Sequence, residues 1–303
     1  MLDIQKNKDI TYATTMKTRV TAAYYTEVTS EAEMVEMVQQ AAKLGIPYLL
    51  LGGGSNTVIT SPHIEMLVVR NRFVHKRIIG TKPDTYSDLE VSSGYAVSRL
   101  ARECAQEGLA GFEYHMGLPG TLGGAIYMNS KWTKPLAYIG DQLISARLLD
   151  GKGSIRSVDR DYFAFAYDYS SLQKTSEILL DAVFRMPFED PEELKKRSEQ
   201  ALAYRRKTQP THPATSGCFF QNITSDQMKR AGVDQASAGY LIDKAGMKGV
   251  RHGGFVVSQQ HANFLLDEGE GDPQHLRELI EQVKQAVRDK YHIDLVEEVR
   301  LIS

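Results

Sequence analysis

Apolar residues recur at helical spacing after Ser30-Glu31-Ala32-Glu33, where Met34, Val35, Val38, Ala41 and Ala42 share one face before Gly45. Serine followed three residues later by glutamate opens helices, so this spacing predicts a helix over 30–44. The period then changes. Pro47-Tyr48-Leu49-Leu50-Leu51 is a short apolar run, closed by Gly52-Gly53-Gly54-Ser55-Asn56 and followed by the β-branched Thr57-Val58-Ile59-Thr60. That order reads strand, glycine turn, strand. The run from Met66 to Arg70 and the alternation near 78–92 predict more strands, and 96–108 an amphipathic helix with Leu100 and Cys104 inward. A second glycine-rich segment, 117–124, reads as extended, with strands near 142–149 and 178–186. Pro187, Pro191 and the dense charge over 187–200 mark a solvated connection into a helix, and so a candidate boundary. Behind Pro273, Leu276, Leu279, Ile280, Val283, Ala286, Val287 and Tyr291 form one helical stripe, and a strand from Leu295 to Ile302 follows.

The chain has 303 residues, enough for two or three domains, and 42% hydrophobic with 24% charged residues is ordinary globular composition. Lys plus Arg (36) against Asp plus Glu (38) leaves a formal charge of −2, without the basic excess of a nucleic-acid or membrane-surface binder. Met1 to Tyr12 is polar, and no apolar stretch approaches the ~18 residues of a membrane span, so neither export nor a span is expected. Two distant cysteines, Cys104 and Cys218, suggest neither a disulfide framework nor a CxxC metal site, and a cytoplasmic location is expected.

Consecutive glycines let backbone amides approach a ligand, and successive N–H groups make an anion-binding concavity. The order strand, glycines, strand differs from the dinucleotide fingerprint, which needs a helix directly after the glycines, and the Lys-Ser/Thr of a P-loop is absent. An isolated Gly-Gly-Gly is equally well a tight turn. Two glycine-rich segments, each beside apolar strands, suit a long ligand with a diphosphate in its middle, of which FAD is one. The eight histidines show no HExxH and no spacing with the cysteines, so no metal is expected. His115 and His261 read as packing or hydrogen-bonding residues. Cys218 is an inert buried thiol or a proton donor, since a thiol titrates near ~8.5, far below an alcohol.

Five segments together resemble the UDP-N-acetylenolpyruvoylglucosamine reductase family. They are Leu51 to Asn56; Gly117 to Ala125 with Met128-Asn129; Ala238 to Gly249; Ser258 with His261-Ala262-Asn263-Phe264; and Glu298-Val299-Arg300. They occur in the family's order, and the length resembles its shorter type. The resemblance implies an α+β fold: a vanillyl-alcohol-oxidase-like FAD-binding region of two subdomains, 1–70 and 71–188, and a C-terminal α/β substrate domain, 189–303. It implies FAD as cofactor, NADPH as reductant and a UDP-sugar substrate reduced at its enolpyruvyl group for peptidoglycan synthesis. A monomer without nucleic-acid or membrane partner is expected. The FAD-binding positions it points to are Gly52, Gly53, Gly54, Ser55, Asn56, Gly117, Pro119, Gly120, Thr121 and Gly124, and the substrate-binding ones Tyr167, Arg205, Asn222, His261 and Arg300.

Carrying the catalytic roles over gives a mixed picture. The family's glutamate matches Glu298. Its proton-donating serine falls on Cys218, within Gly217-Cys218-Phe219-Phe220-Gln221-Asn222, where a thiol is a reasonable replacement acid. Its assisting arginine falls on Asp168, within Phe165-Ala166-Tyr167-Asp168-Tyr169-Ser170, so a carboxylate stands where negative charge gathers. Two repairs are open: Asp168 held neutral by burial, or a neighbouring Arg or Lys swinging in. A family lysine falls on Thr208, the loop after Asn129 becomes Lys131-Trp132-Thr133-Lys134, and an early Gly-Gly pair becomes Val20-Thr21. These departures keep two other readings open, a flavin- or UDP-sugar-binding protein without reductase activity and a flavin oxidoreductase on another substrate.

Overall fold

The computed structural model describes residues 3–210, 212–269 and 271–303; Met1 and Leu2, which begin the polar opening segment, lie outside them. The chain forms two compact units. The first takes in Tyr24–Gly53 and Met66–Arg205 with the opening residues to Lys6, and the second Asn7–Ala23, Gly54–Glu65 and Arg206–Ser303. Neither unit is one continuous stretch, unlike the divisions expected at 70 and 188.

The first unit is built on a five-stranded sheet in the order Ile155–Asp159, Leu143–Leu149, Ile178–Pro187, Tyr86–Ser92, Lys76–Lys82. Ile178–Pro187, the central strand, pairs antiparallel with both neighbours and is buried along most of its length. Helix Val97–Gln106 turns Leu100 and Cys104 into the core beside Leu89, Val91, Phe112, Phe163 and Phe184, as its amphipathic spacing predicts. Helix Glu31–Leu44 starts at Ser30, whose Oγ accepts from Glu33 N at 3.2 Å. Glu33 reaches past the cap to accept from Thr29 N at 2.6 Å, which displaces the predicted capping box by one residue. Gly45 ends this helix in the left-handed conformation, φ +64°, and Met34, Met37 and Val38 pack on Leu67, Val69 and Leu180. Beside it, Tyr48–Leu51 runs parallel to Leu67–Arg70 and delivers the chain into the first glycine run.

The second unit packs helices Ala238–Lys244 and Pro273–Tyr291 over a three-stranded sheet, Arg251–His252, Phe255–Val257, Leu265–Asp267. Asp272 caps the long helix by accepting from Gln274 N at 2.9 Å, and Pro273 occupies its first turn, where no N–H is needed. Leu276, Leu279, Ile280, Val283 and Val287 are fully buried, each contributing about 1.5–3 kcal/mol. The predicted terminal strand is shorter than its apolar pattern, Arg300–Ile302, and pairs parallel with Thr57–Ile59. Leu295 and Val299 are drawn into the core instead, with irregular pairing between them. The second glycine segment also differs from expectation. Its latter half is helix, Leu122–Met128, because Gly123 packs against Ser93 and Leu122, Ala125 and Ile126 enter the core.

Candidate active site

In the first unit the two glycine segments meet backbone to backbone. A Cβ on Gly52 would stand 2.1 Å from Thr121 Oγ1, and one on Gly53 2.4 Å from Gly120 Cα, so only glycine permits this approach. Gly120 holds φ +106°, and its carbonyl accepts from Val97 N at 3.1 Å. Gly117 N donates to Ser98 Oγ at 2.9 Å, and Pro119 is exposed. Thr121 Oγ1 is buried without a hydrogen-bond partner, while the Cβ position of Gly124 faces open space. Two closely apposed backbones with an unanswered hydroxyl fit a phosphate-bearing cofactor such as FAD. Gly54 has a different task. It belongs to the second unit, with φ +66°, and leaves room for Ala13 O, 2.2 Å from where its Cβ would be. Ser55 follows it, half-buried.

In the second unit Cys218 and Glu298 are joined through one residue. Phe219, next to Cys218, donates its N–H to Asn263 O at 2.8 Å and accepts at its carbonyl from Glu298 N at 2.8 Å. Asn263 grips Phe220 on both sides: its Oδ1 accepts from Phe220 N at 3.0 Å, and its Nδ2 donates to Phe220 O at 2.8 Å. Asn56 fixes the other flank, Nδ2 donating to Glu298 O at 3.2 Å and its carbonyl accepting from Arg300 N at 2.8 Å. The result is a half-buried thiol, outside any disulfide, and a half-buried carboxylate on adjoining backbones. The bracing roles of Asn56 and Asn263 are not visible in sequence, because each depends on a partner strand far along the chain.

Of the expected substrate-binding residues in this unit, Asn222 accepts at its Oδ1 from Ala238 N at 3.1 Å, at the start of a helix. His261 is half-buried against Phe264, its Nδ1 accepting from Asn263 N at 3.2 Å. Burial, helped by the charge of Lys248, holds its imidazole below the ordinary value. Arg300 is exposed on the short strand.

Asp168, in the first unit, is not a bare carboxylate. It is buried, and Lys131 Nζ donates to its Oδ1 at 2.6 Å while standing 3.8 Å over the ring of the exposed Tyr167. Of the two repairs open in sequence, the structure contains the neighbouring cation. Lys131 begins the hairpin Lys131–Thr133/Leu136–Tyr138, whose Trp132 meets Tyr204 edge-on with Arg205 5.2 Å over its ring. The altered 131–134 segment is therefore a packed element. His115, read in sequence as a packing residue, is fully buried, and burial with the charge of Arg205 lowers its pKa to about 4. His75, Glu90 and Asp181 bring ligand-type atoms within 4.8 Å of one another. Arg77 Nε donates to Glu90 at 2.7 Å and Arg147 Nε to Asp181 at 3.0 Å, so these carboxylates serve ion pairs.

Residues 22–159 match the FAD binding domain family, and 209–302 match the UDP-N-acetylenolpyruvoylglucosamine reductase C-terminal domain family. The expectation of an α+β FAD-binding region followed by a C-terminal domain is borne out. The UDP-N-acetylenolpyruvoylglucosamine reductase of Chlamydia trachomatis serovar A is 30% identical over 299 residues, covering 99% of this chain and 96% of that protein. The Halalkalibacterium halodurans protein of the same name is 28% identical over 303 residues, with 99% and 95% covered. The crystal structure of the Thermus caldophilus UDP-N-acetylenolpyruvylglucosamine reductase shares the fold, with TM-score 0.78 and 23% identity over 100% of this chain and 99% of that one. With a relative at this identity matched along nearly its whole length, the chain belongs to the UDP-N-acetylenolpyruvoylglucosamine reductase family.

Proposed function

We propose that this chain reduces UDP-N-acetyl-3-O-(1-carboxyvinyl)glucosamine to UDP-N-acetylmuramate with NADPH and bound FAD, a step of peptidoglycan precursor synthesis. The observation that carries the reading is the junction of Cys218 and Glu298 through Phe219. It puts the thiol-bearing residue and the glutamate on adjoining backbones, in a chain matched end to end by reductases of this name. NADPH as reductant, a cytoplasmic setting and action as a monomer belong to the same reading. Among the described residues no helix is long and apolar enough to cross a membrane.

Gly52, Gly53, Gly120 and Thr121 would hold the FAD diphosphate, which could approach their side-chain-free backbones and the unpartnered Thr121 hydroxyl. When bound, FAD supplies two-electron transfer from the nicotinamide to the carbon–carbon double bond. The protein's part is the proton. Saturating that bond takes one hydrogen with the electron pair and one proton for the neighbouring carbon, and the Cys218 thiol delivers the proton and regains it from solvent. A thiol, near ~8.5 when unperturbed, is a far stronger acid than the serine it replaces. Glu298, tied by its own N–H to Phe219 O and by its carbonyl to Asn56, is held on the backbone that adjoins the Cys218 segment.

The test is an anaerobic titration followed by visible absorption. NADPH should bleach the flavin of the intact protein, and the enolpyruvyl sugar should restore it. Cys218→Ala should bleach normally yet lose about 10²–10⁴ in sugar-dependent reoxidation, while Cys218→Ser keeps most of it. Full FAD occupancy without sugar-dependent reoxidation in the unsubstituted protein would sink the proposal.

A further inference from the structure

Resting on that reading, we propose that Lys131 is the cation that receives the substrate's carboxylate and that Asp168 is the residue that positions it. The ammonium is held on two sides, by Asp168 Oδ1 at 2.6 Å and by the face of Tyr167 at 3.8 Å. Ammonium carries three N–H donors, so this grip leaves donor capacity for an acceptor. The carboxylate that holds it is itself fixed. Asp168 is 5% exposed and sits at φ +50°, a left-handed conformation that aspartate adopts more readily than most residues with a Cβ and that its surroundings fix here. Those surroundings are its own carbonyl accepting from Gln173 Nε2 at 2.9 Å, Ala166 O accepting from Asn129 Nδ2 at 3.1 Å, and Ser170 Oγ donating to Tyr127 O at 2.8 Å.

A buried ion pair is a poor stabiliser, because desolvating both partners offsets most of their attraction. A loop fixed at so many points and ending in such a pair therefore has another reason to exist. Two atoms supply it: Asp168 Oδ2 and Asn129 Oδ1 are buried and have no hydrogen-bond partner. An orphaned oxygen on the carboxylate that holds the ammonium, and a second orphaned acceptor on the Asn129 that braces the same loop, match a ligand that offers both an anion and hydroxyl or amide donors, and a carboxylate-bearing amino sugar offers both. The positive charge is thus restored from the hairpin, and Asp168 aims it. The net charge of the pair is zero, so recognition is by the local ammonium.

The experiment compares two nucleotide sugars on the FAD-loaded full chain by calorimetry. UDP-N-acetylmuramate carries the carboxylate on its lactyl ether, and UDP-N-acetylglucosamine is the same nucleotide sugar without that ether. Lys131→Met should weaken the first about 10- to 100-fold, the range of a lost charged hydrogen bond, and leave the second unchanged. Lys131→Arg should retain the preference. Asp168→Asn, which keeps the volume and releases the ammonium, should lower it part-way, and this variant alone carries the test should Lys131→Met fail to retain FAD. An undiminished preference in Lys131→Met, or in Asp168→Asn where that variant stands alone, overturns the assignment, as does equal weakening for both sugars. Failure of the unsubstituted protein to bind either sugar overturns the functional reading instead, a distinct result.

Discussion

Two parts of the first unit solve opposite problems. Where Gly52 and Gly53 meet Gly120 and Thr121, the structure is made by leaving atoms out. Around His115, Lys131 and Asp168 it is made by bringing titratable groups into the interior, Lys131 paired with Asp168 and His115 held neutral by burial and the charge of Arg205. The first kind of site tolerates no addition, and the second registers a change of protonation. The contrast teaches which perturbation each region will register, steric in one and electrostatic in the other.

The strongest way to break the contrast is Gly53→Val. Its Cβ would fall 2.4 Å from Gly120 Cα, backbone that cannot rotate away, so the two segments must part. Loss of FAD from the purified protein is expected, with destabilisation of about 3 kcal/mol, the upper range of overpacking, read from denaturant unfolding and flavin absorbance. Retention of FAD at wild-type affinity would show that the apposition is incidental.

The electrostatic side is tested by pH. His115 has a folded-state pKa of about 4, below the ordinary 6.5, so between those values the unfolded chain binds more protons than the folded one. Stability must fall as pH drops through that window, by about 2 kcal/mol between pH 7 and pH 5 from this residue alone. His115→Gln, which cannot titrate, should flatten that part of the profile, whatever it costs at pH 7. An unchanged slope between pH 7 and pH 5 would mean that the imidazole is not held neutral.

The smallest effect sharpens the comparison. Gly124 lies in helix Leu122–Met128 with nothing within 4 Å of its Cβ position, so packing does not demand glycine there. Gly124→Ala should therefore raise stability by about 0.5–1 kcal/mol through helix propensity. If the open side of that glycine faces the cofactor, FAD affinity should fall in the same variant, separating a glycine kept for a ligand from one kept for a neighbour. Equal FAD affinity would remove Gly124 from the binding set.

Legibility in the sequence follows the same division. The helices Glu31–Leu44, Val97–Gln106 and Pro273–Tyr291 were readable because periodicity and caps are local, and the glycine runs because a missing side chain is visible in one dimension. Leu295 to Ile302 reads as a strand because Leu295, Val296, Val299, Leu301 and Ile302 are apolar, yet Leu295 and Val299 go to the core and only Arg300–Ile302 forms a regular strand. Asp168 read as an unsupported replacement because its partner Lys131 lies 37 residues earlier, and only the hairpin brings them together. The tripeptide Gly52-Gly53-Gly54 conceals a further point: two of its members serve one unit and the third the other.

The pairing of Thr57–Ile59 with Arg300–Ile302 has a consequence for the making of this protein. The Asn56–Glu298 contact that accompanies it spans 242 residues. At about 5–20 residues per second, a ribosome releases the later strand roughly 12–50 s after the earlier one. Throughout that interval Val58 and Ile59 are a short apolar strand with an open edge and no mate, the kind of segment that pairs with other chains. The second unit, begun early in translation and finished late, is thus the part of the nascent chain with most need of a chaperone.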